Sequence, residues 1–168
     1  MGEKMNATDQ LRENMRYWAT GVAIVCVASG QSRHGMTISS FTSLSLLPPR
    51  ILISIDKTTR SHQLIEQKQS FCVTLLNSTQ ENIAQAFAGK ISESQDRFEA
   101  TEWMDSDQGN PIISGGLAYF DCVVRETVDS GSHSIFIGEL LSAGKPNGQI
   151  EGAQPLLYFD RDYRFISN

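Results

Sequence analysis

Gly35-Met36-Thr37-Ile38-Ser39-Ser40-Phe41 sets three hydroxyl side chains beside a glycine, between the apolar run Val22-Ala23-Ile24-Val25-Cys26-Val27-Ala28 and the alternating run Ile51-Leu52-Ile53-Ser54-Ile55. Glycine lets backbone N–H groups approach an anion, and Thr37, Ser39 and Ser40 each donate to an oxygen without adding charge. The stretch suits a phosphate or a polyol; as plain structure it is the polar end of a strand. Its neighbours point to a sheet. Residues 22–28 are β-branched and apolar on both faces, as in a strand buried on both sides. Ile51, Ile53 and Ile55 alternate with Leu52, Ser54 and Asp56. Ala118, Phe120, Cys122 and Val124 alternate with Tyr119, Asp121, Val123 and Arg125, so both segments read as strands with one core face.

Working outward, a turn is expected over residues 30–33 and further strands over residues 71–76, 133–143 and 155–159, with Gly144-Lys145-Pro146-Asn147-Gly148 as a turn. Helices are fewer and short. Thr8 is placed to cap one whose Leu11, Met15 and Trp18 form a stripe at i, i+4, i+7 that packs on the sheet. A second is expected over residues 58–66. A third covers residues 78–88, with Ser78 and Glu81 at capping-box spacing and Ile83, Ala84, Ala86 and Phe87 as its apolar stripe. Many strands without long helices between them favour a mainly β fold, a β-barrel with a few short helices, over a doubly wound sheet. The 168 residues read as one domain, residues 1–168, with 1–14 a partly flexible N-terminal helix region.

Composition removes several classes of function. A net charge of −5 repels a nucleic-acid backbone, and no basic stripe interleaved with aromatics is present. No apolar run approaches the roughly 20 residues of a membrane helix, and residues 1–9 lack a signal-peptide pattern, so no membrane role and a cytoplasmic location are expected. Cys26, Cys72 and Cys122 lie far apart in apolar runs, and the three histidines are scattered, so burial of the thiols and no metal are expected. Neither Gly-x-Gly-x-x-Gly nor Gly-x-x-x-x-Gly-Lys-Ser/Thr occurs. The segment Ser54-Ile55-Asp56-Lys57-Thr58-Thr59-Arg60-Ser61-His62 instead combines cations, hydroxyls and a helix start, a natural trap for a phosphate; its plain reading is a well-capped, solvated helix N-terminus.

Taken together, Gly35 to Phe41, Leu47-Pro48-Pro49, Ile51 to Ile55, Phe87-Ala88-Gly89, Arg97-Phe98 and Gly131-Ser132-His133-Ser134-Ile135-Phe136-Ile137-Gly138-Glu139 resemble the short-chain flavin reductases, over about Met15 to Arg164. The resemblance implies an FMN-binding split barrel of Greek-key type, working as a homodimer. It would carry electrons from NAD(P)H to FMN or FAD and supply reduced flavin to a partner flavin-dependent monooxygenase. It further implies that Met36, Thr37, Ser39 and Ser40 contact the ribityl chain or ring, that Ser54 and Ile55 border the isoalloxazine, and that Lys57 and Ser61 meet the phosphate. Ala88 and Gly89 would lie near the flavin, Arg97 would fix the flavin or the nicotinamide nucleotide, and His133 would position the nicotinamide. Read locally, Gly89 is a helix C-cap, Arg97 a surface charge and His133 a hydrogen-bonded rim histidine. Hydride transfer needs no protein nucleophile, only orientation and electrostatic support. Two positions depart from the family's pattern: Thr74, where asparagine is usual, and Ser132, where an acidic residue is usual. Other readings stay open: a same-fold enzyme with permanently bound FMN, and a non-catalytic flavin-binding module. NADH against NADPH and FMN against FAD are undecided at this level.

Overall fold

The computed structural model describes residues 5–90 and 96–166. After a helix α1 (Ala7–Met15) come β1 (Thr20–Gly21), β2 (Ala23–Ser29), β3 (Ser32–Ile38), β4 (Thr42–Leu46) and β5 (Pro49–Asp56). Helix α2 (Arg60–Lys68), β6 (Ser70–Leu75), α3 (Glu81–Gln85), a π-turn (Ala86–Lys90) and a 3-10 turn (Arg97–Ala100) follow. The chain then runs through β7 (Trp103–Asp105), β8 (Pro111–Ile113), β9 (Ala118–Ser130), β10 (His133–Gly144), β11 (Leu156–Phe159) and β12 (Asp162–Phe165). Seven strands form one antiparallel sheet in the order β3-β2-β6-β9-β10-β5-β4.

This sheet curls on itself. One core takes Val25 and Val27 from β2, Ile38 from the β3 edge, Phe71 and Val73 from β6, Val124 from β9, Phe136 from β10, and Ile51, Ile53 and Ile55 from β5 near the opposite edge. Both ends of the strand order therefore face one interior, the wrapping that a split barrel requires, with Leu64 and Ile65 of α2 packed into it. A second core lies outside β2, where Ile24 and Cys26 meet Ile83, Ala84, Ala86 and Phe87, together with Phe98, Ile113 and Leu156. Cover on both faces is why residues 22–28 are apolar throughout; each buried Val or Ile contributes about 1.5–3 kcal/mol relative to exposure.

The expected strands are present, as is the helix following Thr59, whose hydroxyl caps α2 by accepting the His62 N–H at 3.3 Å. Four expectations are corrected. Helix α1 is capped by Asn6, whose side chain accepts the Asp9 N–H, and not by Thr8. Its stripe does not pack on the sheet: Leu11, Met15 and Trp18 are 64%, 52% and 66% exposed, and α1 buries no residue. Charges fasten it to the β11–β12 turn, through Arg16 with Glu13 and Asp160, and Arg161 with Glu13. The Ser78 capping box does not form. Asn77 Oδ1 takes the Thr79 N–H at 2.8 Å in an Asx-turn, and α3 begins at Glu81, although the apolar face of Ile83, Ala84, Ala86 and Phe87 is buried as read. In β9, Asp121 is fully buried rather than solvent-facing. It accepts the Gln108 N–H and the Asn110 amide, each at 3.3 Å, because the 108–110 loop covers that face as well. All three cysteines are buried and free. No helix among the described residues is long and apolar enough to cross a membrane.

Candidate active site

Gly35 to Ile38 lie in β3, at an open edge of the sheet. β3 pairs with β2 on one side only, leaving its other edge between α2 and the α3/π-turn layer, and an open cleft of about 1310 Å³ runs along it. That exceeds the roughly 300–1,000 Å³ of ordinary small-molecule sites and leaves room for two ligands together. The pleat divides β3 between its two covers. His34, Met36 and Ile38 turn toward the α2 side, where Met36 and Ile38 join the barrel core. Gly35 and Thr37 turn toward α3, and the Thr37 hydroxyl donates to the Ala84 carbonyl at 2.6 Å. A Cβ on Gly35 would sit 2.6 Å from Cε1 of Phe87, so glycine is required there for the π-turn to close on the strand.

The Gly35 carbonyl faces away from β2 and accepts from Nη1 of Arg97 at 3.1 Å; the same nitrogen reaches the Phe87 carbonyl at 3.3 Å. In an antiparallel ladder, N–H and C=O of one residue point the same way and alternate with the next, so the N–H groups of Gly35 and Thr37 also face the cleft. Arg97 thus spans strand and π-turn while its charge meets only carbonyl dipoles. Arg60 contacts the Ser32 hydroxyl at 3.3 Å. Among the described residues neither guanidinium meets a carboxylate. Two cations with no ion-pair partner among the described residues, and the N-terminus of α2 with Thr58 and Thr59 at the cleft wall, make it attractive to phosphate groups, although Glu81, Asp96 and Asp162 line it as well. Arg33, by contrast, pairs with Asp96 and lies over the rings of Phe98 and Trp103 at 5.2 and 4.9 Å. Tyr158 and Tyr163, edge to face at 5.5 Å, supply an aromatic wall.

Of the residues singled out in the sequence, Met36, Thr37, Ser39, Ala88, Gly89 and Arg97 line this cleft. Ser40 and Ser54 are joined instead: the Ser40 hydroxyl accepts the Ser54 N–H at 3.2 Å and donates to the Ser54 carbonyl at 2.9 Å, tying the segment after β3 to β5. Ile55 is fully buried in the barrel core. Ser61 is also fully buried, with its hydroxyl 2.7 Å from Nδ1 of His34, directly behind the cleft wall. Lys57 and His133 lie on another rim. Lys57 pairs with Asp129, and its N–H donates to the Ser132 carbonyl at 3.0 Å. His133 stands opposite Asp56 in register, with Nδ1 2.9 Å from the Ser132 hydroxyl. Thr74 is fully buried, its hydroxyl accepting the Ile113 N–H at 3.2 Å, and is not part of the cleft. Sequence reasoning missed His34 and Tyr163. His34 had a signal, two places before Met36 and therefore on the same strand face; Tyr163 had none, because the β11–β12 hairpin reaches the cleft only through the tertiary fold.

Residues 15–167 match the flavin reductase like domain family. An NADH-dependent FAD reductase from Streptomyces globisporus is 36% identical over 136 residues, covering 80% of this chain and 74% of the relative. The reductase subunit of a flavin-dependent monooxygenase from Mycobacterium tuberculosis is 34% identical over 160 residues, covering 92% and 80%. The solved structure of an NADH:FAD oxidoreductase from Streptomyces globisporus superposes with a TM-score of 0.88 at 30% identity, covering 100% of this chain and 99% of that one. With a matching domain over nearly all its length and relatives above 30% identity, the chain belongs to the flavin reductase family.

Proposed function

We propose that this protein is an NAD(P)H:flavin oxidoreductase that reduces FMN or FAD and hands reduced flavin to a partner flavin-dependent monooxygenase. The observation that carries this reading is the cleft along β3, where Arg97 and Arg60 have no ion-pair partner among the described residues and backbone N–H groups face outward. When bound, the flavin supplies the hydride acceptor. The chain's own work is to hold it: Arg97, Arg60 and the α2 N-terminus take phosphate oxygens, the β3 edge with Thr37 and Ser39 takes polar atoms of ring or ribityl chain, and Tyr158 and Tyr163 offer a stacking surface. NADH and FAD are the favoured pair, since relatives are named for them and a related oxidoreductase was solved with NAD and FAD fragments. His133 belongs to the proposal as the residue that positions the nicotinamide.

The protein works as a homodimer in this reading, supported by apolar side chains left outside, among them Leu11, Met15 and Trp18 near one terminus and Phe165 and Ile166 near the other. Oxidation of NADH and of NADPH, followed at 340 nm with added FMN, FAD or riboflavin, tests the function. Turnover that saturates in added flavin is expected. Absence of turnover with every pair overturns it, and yellow protein after gel filtration would mark a bound-flavin enzyme instead.

A further inference from the structure

His34 lines the cleft, and both Arg60 and Arg97 lie close enough to act on its ring. It projects from β3 toward α2, and the ring is half-buried. Its Nδ1 lies 2.7 Å from the hydroxyl of Ser61, which has no exposed surface and no other hydrogen-bond partner among the described residues. A buried hydroxyl hydrogen needs an acceptor, and Nδ1 is the acceptor within reach. The Ser61 O–H therefore donates to Nδ1, and the ring's hydrogen is placed on Nε2. Nε2 has no protein partner among the described residues, and His34 lines the cleft.

The surroundings keep this donor uncharged. Burial first, then Arg97 of the 3-10 turn and Arg60 of α2, hold the imidazole pKa down to about 4. Among the described residues no carboxylate is paired with the ring, and Asp96, which also lines the cleft, is paired with Arg33. A cleft that already holds two cations for phosphate gains nothing from a third at this point, and a neutral N–H has a different use.

We propose that His34 is a ligand-positioning residue whose Nε2–H donates to an uncharged carbonyl oxygen of the ring held in the cleft, with Ser61 fixing the tautomer from behind. The inference rests on the oxidoreductase reading for its ligands, and the carbonyl has two sources, the isoalloxazine or the nicotinamide carboxamide. The phosphates go to Arg60 and Arg97, and the neutral donor sets which way the attached ring lies between them.

The test has two arms. In ligand-free protein with 15N-labelled histidine, the His34 nitrogens should report Nε2–H with Nδ1 unprotonated at neutral pH, and Ser61→Ala should mix the tautomers; an Nδ1–H ring overturns the proposal whether or not the protein turns over. In the second arm, His34→Leu should raise either the FAD Kd or the NADH KM by roughly two- to tenfold, the worth of one neutral hydrogen bond. His34→Gln, which keeps an N–H donor, should restore most of the loss. A rise in FAD Kd assigns the isoalloxazine, and a rise in NADH KM assigns the carboxamide. Leu and Gln variants that both match the parent overturn the proposal, and so do variants equally impaired, since a packing role does not distinguish them. A parent protein that oxidises neither NADH nor NADPH would instead break the functional reading, which the tautomer arm does not depend on.

Discussion

Two neighbouring regions of this protein each bring a cation and a histidine together, Lys57 and His133 on the rim and Arg60 and His34 in the cleft, yet they differ in how their charge is answered. On the rim where β5 meets the β9–β10 turn, Lys57 is matched by Asp129, and Asp56 spends its carboxylate on the Thr58 N–H and hydroxyl at 2.8 and 2.7 Å. In the cleft, Arg60, three residues from Lys57, meets a hydroxyl, and Arg97 meets two carbonyls. The rim's cation is answered by a carboxylate, and the two cleft arginines have no ion-pair partner among the described residues. Substitution in both places measures the difference. Arg97→Leu should raise the FAD Kd about 10- to 100-fold, the range for a hydrogen bond to a charged group. Lys57→Met should change it by less than about threefold, because an exposed pair carries little net energy. Fluorescence titration decides, and equal losses would erase the distinction and return Lys57 to the phosphate role that the family resemblance implies.

Glycines sharpen the contrast on the side of packing. Gly35 lies under Phe87 with no space for a methyl group, whereas Gly131, at the tip of the β9–β10 turn, has nothing within 4 Å and is glycine for its φ of 63°. Gly35→Ala must push the π-turn off β3. It should cost about 1–3 kcal/mol in urea unfolding and weaken FAD binding by shifting the Gly35 and Phe87 carbonyls that hold Arg97. Gly131→Asn, which tolerates a left-handed backbone, should cost less than about 1 kcal/mol and leave FAD affinity alone. A Gly35→Ala protein as stable as its parent would mean that Phe87 has another way to pack.

Features that belong to one strand were readable from the chain, and features that join distant elements were not. The both-faced apolarity of residues 22–28 and the alternation of Ile51, Ile53 and Ile55 report burial directly, since every second residue samples the same side. Asp121 broke the same rule because a loop beginning before Asn110 folds over the second face, something no alternation in β9 records. The stripe of Leu11, Met15 and Trp18 was read correctly as apolar and wrongly as covered: periodicity identifies a face, and says nothing about whether the chain supplies a surface for it. At the site, Thr37 and Ser39 came from composition near Gly35, and Met36 from the family resemblance. Ser40 and Ser54 carry the same hydroxyl chemistry but turn it on each other, and the Tyr158 and Tyr163 wall arrives from the far end of the chain.

The two regions should also come apart in pH, with the smallest effect of the three. His34 in the folded protein has its pKa held near 4, below the ordinary 6.5 of the unfolded chain. Between those values the unfolded chain binds more protons, so stability rises with pH across the window, and the contribution of a neutral His34 is lost as pH falls from 6.5 toward 4. The rim behaves otherwise. Hydrogen bonds from Thr58 and from Lys57 lower the pKa of Asp56 and of Asp129 below their ordinary 3.8. Their contribution is therefore present above that value and lost only under stronger acid. Urea unfolding of the parent between pH 4.5 and 6.5 should show stability climbing with pH, and His34→Gln should flatten the climb while Asp129→Asn leaves it unchanged. If the climb survives His34→Gln, the imidazole titrates freely, and the arginines beside it are screened by water more than their burial implies. If it disappears, the cleft keeps one donor neutral at the expense of acid stability, the kind of local cost that a site for a ligand retains and a purely structural edge has no reason to keep.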